Sequence, residues 1–190
     1  MKKTLLNFLV ATLVATASQA QTSKDGKINN SNFFVEMGGI GGPYSFTFDK
    51  RLHANRIDGI GLRGGFSGLY NDEEKIFSVP MQVNWLMGKN KSFFEIGAGL
   101  TYFHYEGYGY TDGGNYICDS SGCRVVGGKE YAGHFVLPIS RKNSFFGTLN
   151  FGYRRVPQGQ GFTWKVALTP LFNSNGFWPV FGGFAIGYKF

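Results

Sequence analysis

The chain has 190 residues, 19 of them basic and 12 acidic, for a formal charge of +7, with 29 Gly and 20 Phe. The basic residues are scattered without a dense cluster, which, together with an export signal, argues against nucleic acid as a partner. Mean hydropathy is −0.13, and after residue 20 no apolar run is long enough for a helical membrane span; a crossing by strands stays open, because alternating strands give only a weak hydropathy signal.

The chain opens on Met1-Lys2-Lys3, followed by an apolar run from Thr4 to Ala17 and the small-residue stretch Ser18-Gln19-Ala20. This order of basic, apolar and small segments predicts a secretory signal peptide over residues 1–20, cut between Ala20 and Gln21. Its apolar run falls short of the ~20 residues of a helical span. Removing Lys2 and Lys3 leaves 17 basic against 12 acidic residues, a mature charge of +5. Gln21 to Ser31 is polar and is expected to be a flexible periplasmic lead-in.

Eight runs with period-2 alternation follow. The first, about Asn32–Gly41, sets Phe33, Val35 and Met37 against Glu36 and ends on the turn signal Gly41-Gly42-Pro43. The second, Tyr44–Arg51, sets Tyr44, Phe46 and Phe48 against Ser45, Thr47, Asp49 and Arg51. The third, Ile57–Tyr70, sets Ile60, Leu62 and Phe66 against Gly61, Arg63, Gly65 and Ser67. The fourth, Ile76–Leu86, opposes Phe77, Val79, Met81, Val83 and Trp85 to Ser78, Pro80, Gln82 and Asn84, and a tight turn at Gly88-Lys89-Asn90-Lys91 leads out of it.

The fifth run, Phe93–Tyr105, sets Phe94, Ile96, Ala98, Leu100 and Tyr102 against Glu95, Gly97, Gly99 and Thr101. A Gly- and Tyr-rich loop covers about 106–143. The sixth run, Ser144–Arg155, opposes Phe145, Leu149, Phe151 and Tyr153 to Thr148, Asn150 and Arg154. The seventh, Phe162–Phe172, opposes Trp164, Val166 and Leu168 to Thr163, Lys165, Ala167 and Thr169. The eighth, Phe177–Phe190, ends with Phe184, Ile186, Tyr188 and Phe190 alternating with small or charged residues, as a barrel-closing strand would. Two segments leave the count open. Gly39 to Pro43 reads as a bulged continuation or a hairpin tip, and His134–Ser140 as an extension of the sixth run or a further strand.

Such a pattern is all-β and predicts a transmembrane antiparallel up-and-down β-barrel of eight strands, or ten if the open segments add a pair. In hydrocarbon every backbone polar group needs a partner, and a closed sheet supplies one without leaving an edge. An even strand count puts both ends on one side, expected to be the periplasm. The lumen of an eight-stranded barrel is only wide enough for side chains. Glu36 and Glu95 then face Arg63, Arg154 and Lys165 as a salt-bridged plug, with a pore lining or an acid–base set as the alternatives. Trp85, Tyr102, Tyr153, Trp164, Trp178, Tyr188 and Phe190 fall towards strand ends, where girdle aromatics sit.

Cys118 and Cys123 lie in the long loop with four residues between them, and an exported chain with an even cysteine count predicts a disulfide between them. A metal site would need further ligands from His104 or His134, and none is expected. A lipid hydrolase at the outer rim would require His134, Ser140 and Ser144 with Glu106 or Glu130 to converge, and no motif demands it. No catalytic residue and no cofactor is assigned.

Phe33-Phe34-Val35-Glu36-Met37-Gly38-Gly39, Phe94-Glu95-Ile96-Gly97-Ala98-Gly99, Phe151-Gly152-Tyr153-Arg154, Leu168-Thr169-Pro170 and the ending Ala185-Ile186-Gly187-Tyr188-Lys189-Phe190 together resemble small outer-membrane β-barrel proteins of the Bacteroidetes type, barrels of the OmpA/OmpX kind. The ending also resembles the general outer-membrane insertion signal. The resemblance implies that Phe184, Ile186, Tyr188 and Phe190 are read by the barrel-assembly machinery, that lipid and lipopolysaccharide surround the barrel in the cell outer membrane, and that no activity is established. The expected function is therefore a non-enzymatic envelope barrel that can present the 106–143 loop to a surface partner. The alternatives are a lipid-modifying enzyme, a small channel and, less favoured, a lipocalin-like carrier.

Overall fold

The computed structural model describes residues 30–53, 56–70, 75–106, 110–112, 114–119, 122–131, 133–134, 138–139 and 143–190. The signal-peptide assignment to residues 1–20, and residues 21–29 of the lead-in, lie outside the described residues.

Eight strands form a closed wall: β1 Ser31–Gly38, β2 Tyr44–Arg51, β3 Gly59–Tyr70, β4 Lys75–Lys89, β5 Ser92–Glu106, β6 Asn143–Arg155, β7 Gly161–Leu168 and β8 Gly182–Lys189. Every neighbouring pair is antiparallel. The wall closes because β8 pairs with both β7 and β1, with Ala185 opposite both Lys165 and Glu36. Within this closed wall each of the eight strands has a partner on both sides. The barrel has eight strands, not ten: the short ladder of Gly133–His134 with Pro138–Ile139 pairs only with itself. Within the long loop, Tyr110–Asp112 pairs with Lys129–Tyr131, and Asn115–Asp119 with Gly122–Val126.

Alternation along each strand divides the wall into two faces. Met37, Phe48, Leu62, Phe66, Met81, Val83, Trp85, Phe94, Leu100, Phe145, Phe151, Phe162, Val166, Phe184, Ile186 and Tyr188 are exposed on the outside. Their sequence neighbours Glu36, Asp49, Arg63, Gln82, Asn84, Glu95, Asn150, Arg154 and Lys165 are buried within. A one-residue slip of any strand would exchange these faces, so the pattern holds the register.

One end of the barrel carries short connections. β4 and β5 join through Asn90-Lys91, with Lys89 opposite Ser92 and Asn90 at φ 61°. That left-handed conformation is the one a two-residue hairpin demands, and Asn tolerates it. This end is called the turn end, and the end carrying residues 107–142 the loop end. At the turn end Asn30 is already part of the wall: its carbonyl accepts the Arg51 N–H at 3.1 Å and its amide donates to the Arg56 carbonyl at 2.8 Å. β1 itself begins at Ser31.

Two expected elements end differently. The seventh and eighth runs do not extend as one long hairpin. β7 stops at Leu168 and β8 starts at Gly182; between them Leu171–Asn173 and Gly176–Trp178 form a separate hairpin that leans onto β6, with Phe172 opposite Gly147. Pro170 and Pro179 sit at the two breaks, where each removes a donor that a continued ladder would need. The β1–β2 connection is neither a bulge nor an exposed tip. Gly39–Gly41 forms a 3-10 turn that tucks into the barrel and touches β1, β2, β3, β4, β5 and β8.

Candidate functional site

The lumen is built in layers along the barrel axis. At the turn end Leu86, Phe93 and Val156 form a buried apolar cluster with Ile57 against it. At the loop end Ile76, Phe103, Tyr105, Phe146 and Leu171 form a second, with Leu69 and Phe181 packed on it. Between them lie the inward turn and an ionic network.

The turn is held by its own carbonyls. Thr101 donates its hydroxyl to the Ile40 carbonyl at 2.7 Å, and Ser78 donates to the Gly41 carbonyl at 2.6 Å. Ile40 itself is buried. Gly38 and Gly39 take φ values of 71° and 75°, and a Cβ on Gly39 would run into the Glu36 carboxylate. Glycine is thus required twice over, by backbone conformation and by space. Pro80 lies beside the turn on β4; its missing N–H falls where the β3–β4 pairing is interrupted, between Gly64–Met81 and Ser67–Ser78.

Below the turn three carboxylates face four cations, all buried. Lys165 Nζ lies 2.7 Å from Glu36 Oε1, an ion pair that spans β7 and β1 across β8. Glu95 receives Arg63 at 2.7 Å, Arg154 at 3.3 Å and the Asn150 amide at 3.1 Å. Asp49 is the hub. Arg51 approaches it at 2.8 Å, Arg154 at 3.3 Å and Arg63 at 3.4 Å, and the Asn84 amide donates to it at 2.7 Å. Arg51 also bonds the Asn84 side-chain carbonyl, and Arg63 donates to Gln82 at 3.0 Å.

Arg63 and Arg154 each bridge Asp49 and Glu95, so four strands are tied through two carboxylates. The Phe34 ring fills the centre. The Arg154 guanidinium carbon lies 4.7 Å from its centroid, Arg63 5.7 Å and Lys165 Nζ 5.8 Å. A ring face against three desolvated cations offsets part of the one-cation excess, each such contact being worth up to about 2 kcal/mol. Gly187 makes room for it: a Cβ there would stand 2.7 Å from Phe34 Cδ1.

The sequence-predicted residues therefore fall in two groups inside the lumen, Glu36 with Lys165, and Glu95 with Arg63 and Arg154. Sequence reasoning left three principal members out of the set. Asp49 sits on the inward face of its run, but only the register opposite Arg63 reveals it as the hub. Phe34 is hidden by its apolar neighbours Phe33 and Val35, and only its shared parity with Glu36 points inward. Nothing in the local pattern of Gly39–Gly41 signals that the turn folds inside.

Phe184, Ile186 and Tyr188 face outward on β8, and the Tyr188 and Phe190 rings meet edge-on at 5.5 Å. Cys118 and Cys123 are joined by a disulfide opposite one another in the loop hairpin. At the loop-end rim His104 Nδ1 lies 2.7 Å from Asn143 Oδ1 and its Nε2 lies 3.4 Å from Glu106, which also meets Lys75 at 3.5 Å. No serine hydroxyl is bonded to His104 among the described residues, and Ser140 and the side chains of Glu130 and His134 lie outside the described set. Among the described residues there is no group of three metal-ligating side chains.

No family model matches the sequence, and no curated protein matches it. Among solved structures the chain is similar to the crystal structure of the N-terminal β-barrel domain of OprF from Pseudomonas aeruginosa, with a TM-score of 0.50 and 12% identity over 85% of this chain and 98% of that one. The likeness is one of fold: this chain, like that domain, is a β-barrel, here closed by eight antiparallel strands.

Proposed function

We propose that this chain is an integral outer-membrane protein whose lumen is closed by its own side chains, with a structural role in the envelope and a loop available to a surface partner. One observation carries the reading. Along a single strand, exposed apolar residues alternate with buried polar ones, as with Met81, Val83 and Trp85 against Gln82 and Asn84. Water cannot be the solvent for such an outer wall, since monomeric soluble proteins rarely expose apolar patches larger than a few hundred Å². Acyl chains can, and closure of the sheet satisfies the backbone within them.

The turn end faces the periplasm in this reading, the chain is exported by a leader cut after Ala20, and the outward aromatics of β8, with Phe190, serve the barrel-assembly machinery. Lipopolysaccharide is the surrounding lipid at the loop end. The two apolar clusters and the Asp49–Glu95 network between them support a closed lumen in preference to a channel.

Cell fractionation with boiled and unboiled samples on a detergent gel tests this. The protein should sediment with the outer membrane, change mobility on heating and have the mass of a chain starting at Gln21. Recovery in the soluble fraction with no change in mobility overturns the proposal. In a planar bilayer the folded protein should give no stepwise current; regular steps would favour a channel.

A further inference from the structure

The outer wall changes character at the turn end. Lys89, Ser92 and Arg155 are register partners across β4, β5 and β6. All three are exposed, as is Lys91 in the adjoining turn. The Lys91 carbonyl accepts the Val156 N–H at 2.9 Å and the Asn90 carbonyl accepts the Gln158 amide, so the two connections at this corner are fixed side by side.

One rung further into the wall the same strands present Met87, Phe94 and Tyr153, with Trp164 against Tyr153 at 5.4 Å. The Tyr153 hydroxyl reaches back to the Ser92 hydroxyl at 2.9 Å. A cationic rung thus lies about 7 Å along the strands from an apolar and aromatic one.

None of Lys89, Lys91 and Arg155 forms an ion pair with another described residue. The described side-chain carboxylate outside the lumen at this end is Asp58. Its two oxygens are engaged by Arg56 at 3.1 and 2.6 Å, and those hydrogen bonds hold its carboxyl below the usual range.

We propose that the Lys89–Ser92–Arg155 rung, with Lys91, binds the phosphate of an anionic phospholipid in the leaflet at the turn end. The proposal rests on the membrane reading above and adds to it a lipid class and a place. Three cations without an ion-pair partner among the described residues suit a phosphodiester that carries its full negative charge, and Arg155 can hold two of its oxygens at once. The paired hydroxyls of Ser92 and Tyr153 supply donors beside them. The acyl chains continue onto Met87, Phe94 and Tyr153. A soluble anion would use the cations but gain nothing from the apolar rung.

Native mass spectrometry of the folded, detergent-solubilised protein, titrated with phosphatidylglycerol, phosphatidylcholine and glycerol phosphate, tests the assignment. Wild type should retain phosphatidylglycerol over phosphatidylcholine by roughly fivefold or more, the worth of a single cation near an anionic headgroup. The K89Q/K91Q/R155Q variant should lose the preference, and glycerol phosphate should not displace the lipid. The three side chains lie outside the lumen, so unboiled mobility should match wild type and show the variant folded.

An equal preference in the variant, no preference in wild type, or displacement by glycerol phosphate overturns the site. Failure of wild type to insert into phosphatidylcholine vesicles would instead overturn the membrane reading beneath it. Insertion without lipid preference overturns only the site.

Discussion

Glu95 and Asp49 have no access to water, and each is satisfied by several donors at once. Removing one member of such a set strands the others. Glu95→Ala takes from Arg63 and Arg154 one of the two carboxylates that each pairs with, and breaking a buried pair costs about 3–5 kcal/mol. The expected result is a loss of that size in the urea stability of the refolded barrel, read by mobility on unboiled gels. A change within about 0.5 kcal/mol, the range of ordinary surface substitutions, would show that the network is not holding strands together. At this scale the sequence was legible where alternation is strict. Glu95 and Lys165 stand alone between apolar neighbours, so their inward orientation follows from parity. Phe34 was not legible, because hydrophobicity does not distinguish a ring facing lipid from a ring facing three cations. Which carboxylate meets which cation also depends on register between strands far apart in sequence, as with Glu36 and Lys165.

The connections are where local pattern fails. Gly39–Gly41 carries turn chemistry, yet whether a turn folds inward depends on what receives it: Ser78, Thr101 and the space beside Pro80, on β4 and β5. Ile40→Ala removes the side chain that this turn buries. It should cost roughly 2–5 kcal/mol in the same urea measurement, the range for buried Ile→Ala changes; a negligible loss would mean that the turn is not seated. The seventh and eighth runs were over-read for a related reason. Leu171-Phe172 continues the apolar character of β7, but Pro170 ends its ladder and the segment pairs with β6 instead. The loop disulfide has the opposite status, since it closes a ladder that pairs only with itself. Replacing Cys118 and Cys123 by Ser should leave barrel stability within about 0.5 kcal/mol of wild type. Limited proteolysis should then cut the 106–143 loop faster. A large drop in barrel stability would show that the loop is coupled to the wall.

The barrel wall inverts the usual arrangement of a folded chain, with an ionic network sealed inside and many aromatic and branched residues exposed on the outside. That inversion was the most legible feature of the sequence, because it repeats in eight runs and each reports it independently. What the wall is solvated by can be measured directly. Nitroxide labels would be placed singly at Phe77, Met81, Val83 and Trp85, in a background lacking both loop cysteines, with the protein reconstituted in phospholipid vesicles. Collision with dissolved oxygen and with a water-soluble nickel chelate would then be compared at each site. Oxygen collisions should dominate at all four positions, as they do in hydrocarbon. Predominant access of the nickel chelate at Met81 and Val83 would place water against the outer wall and contradict the account.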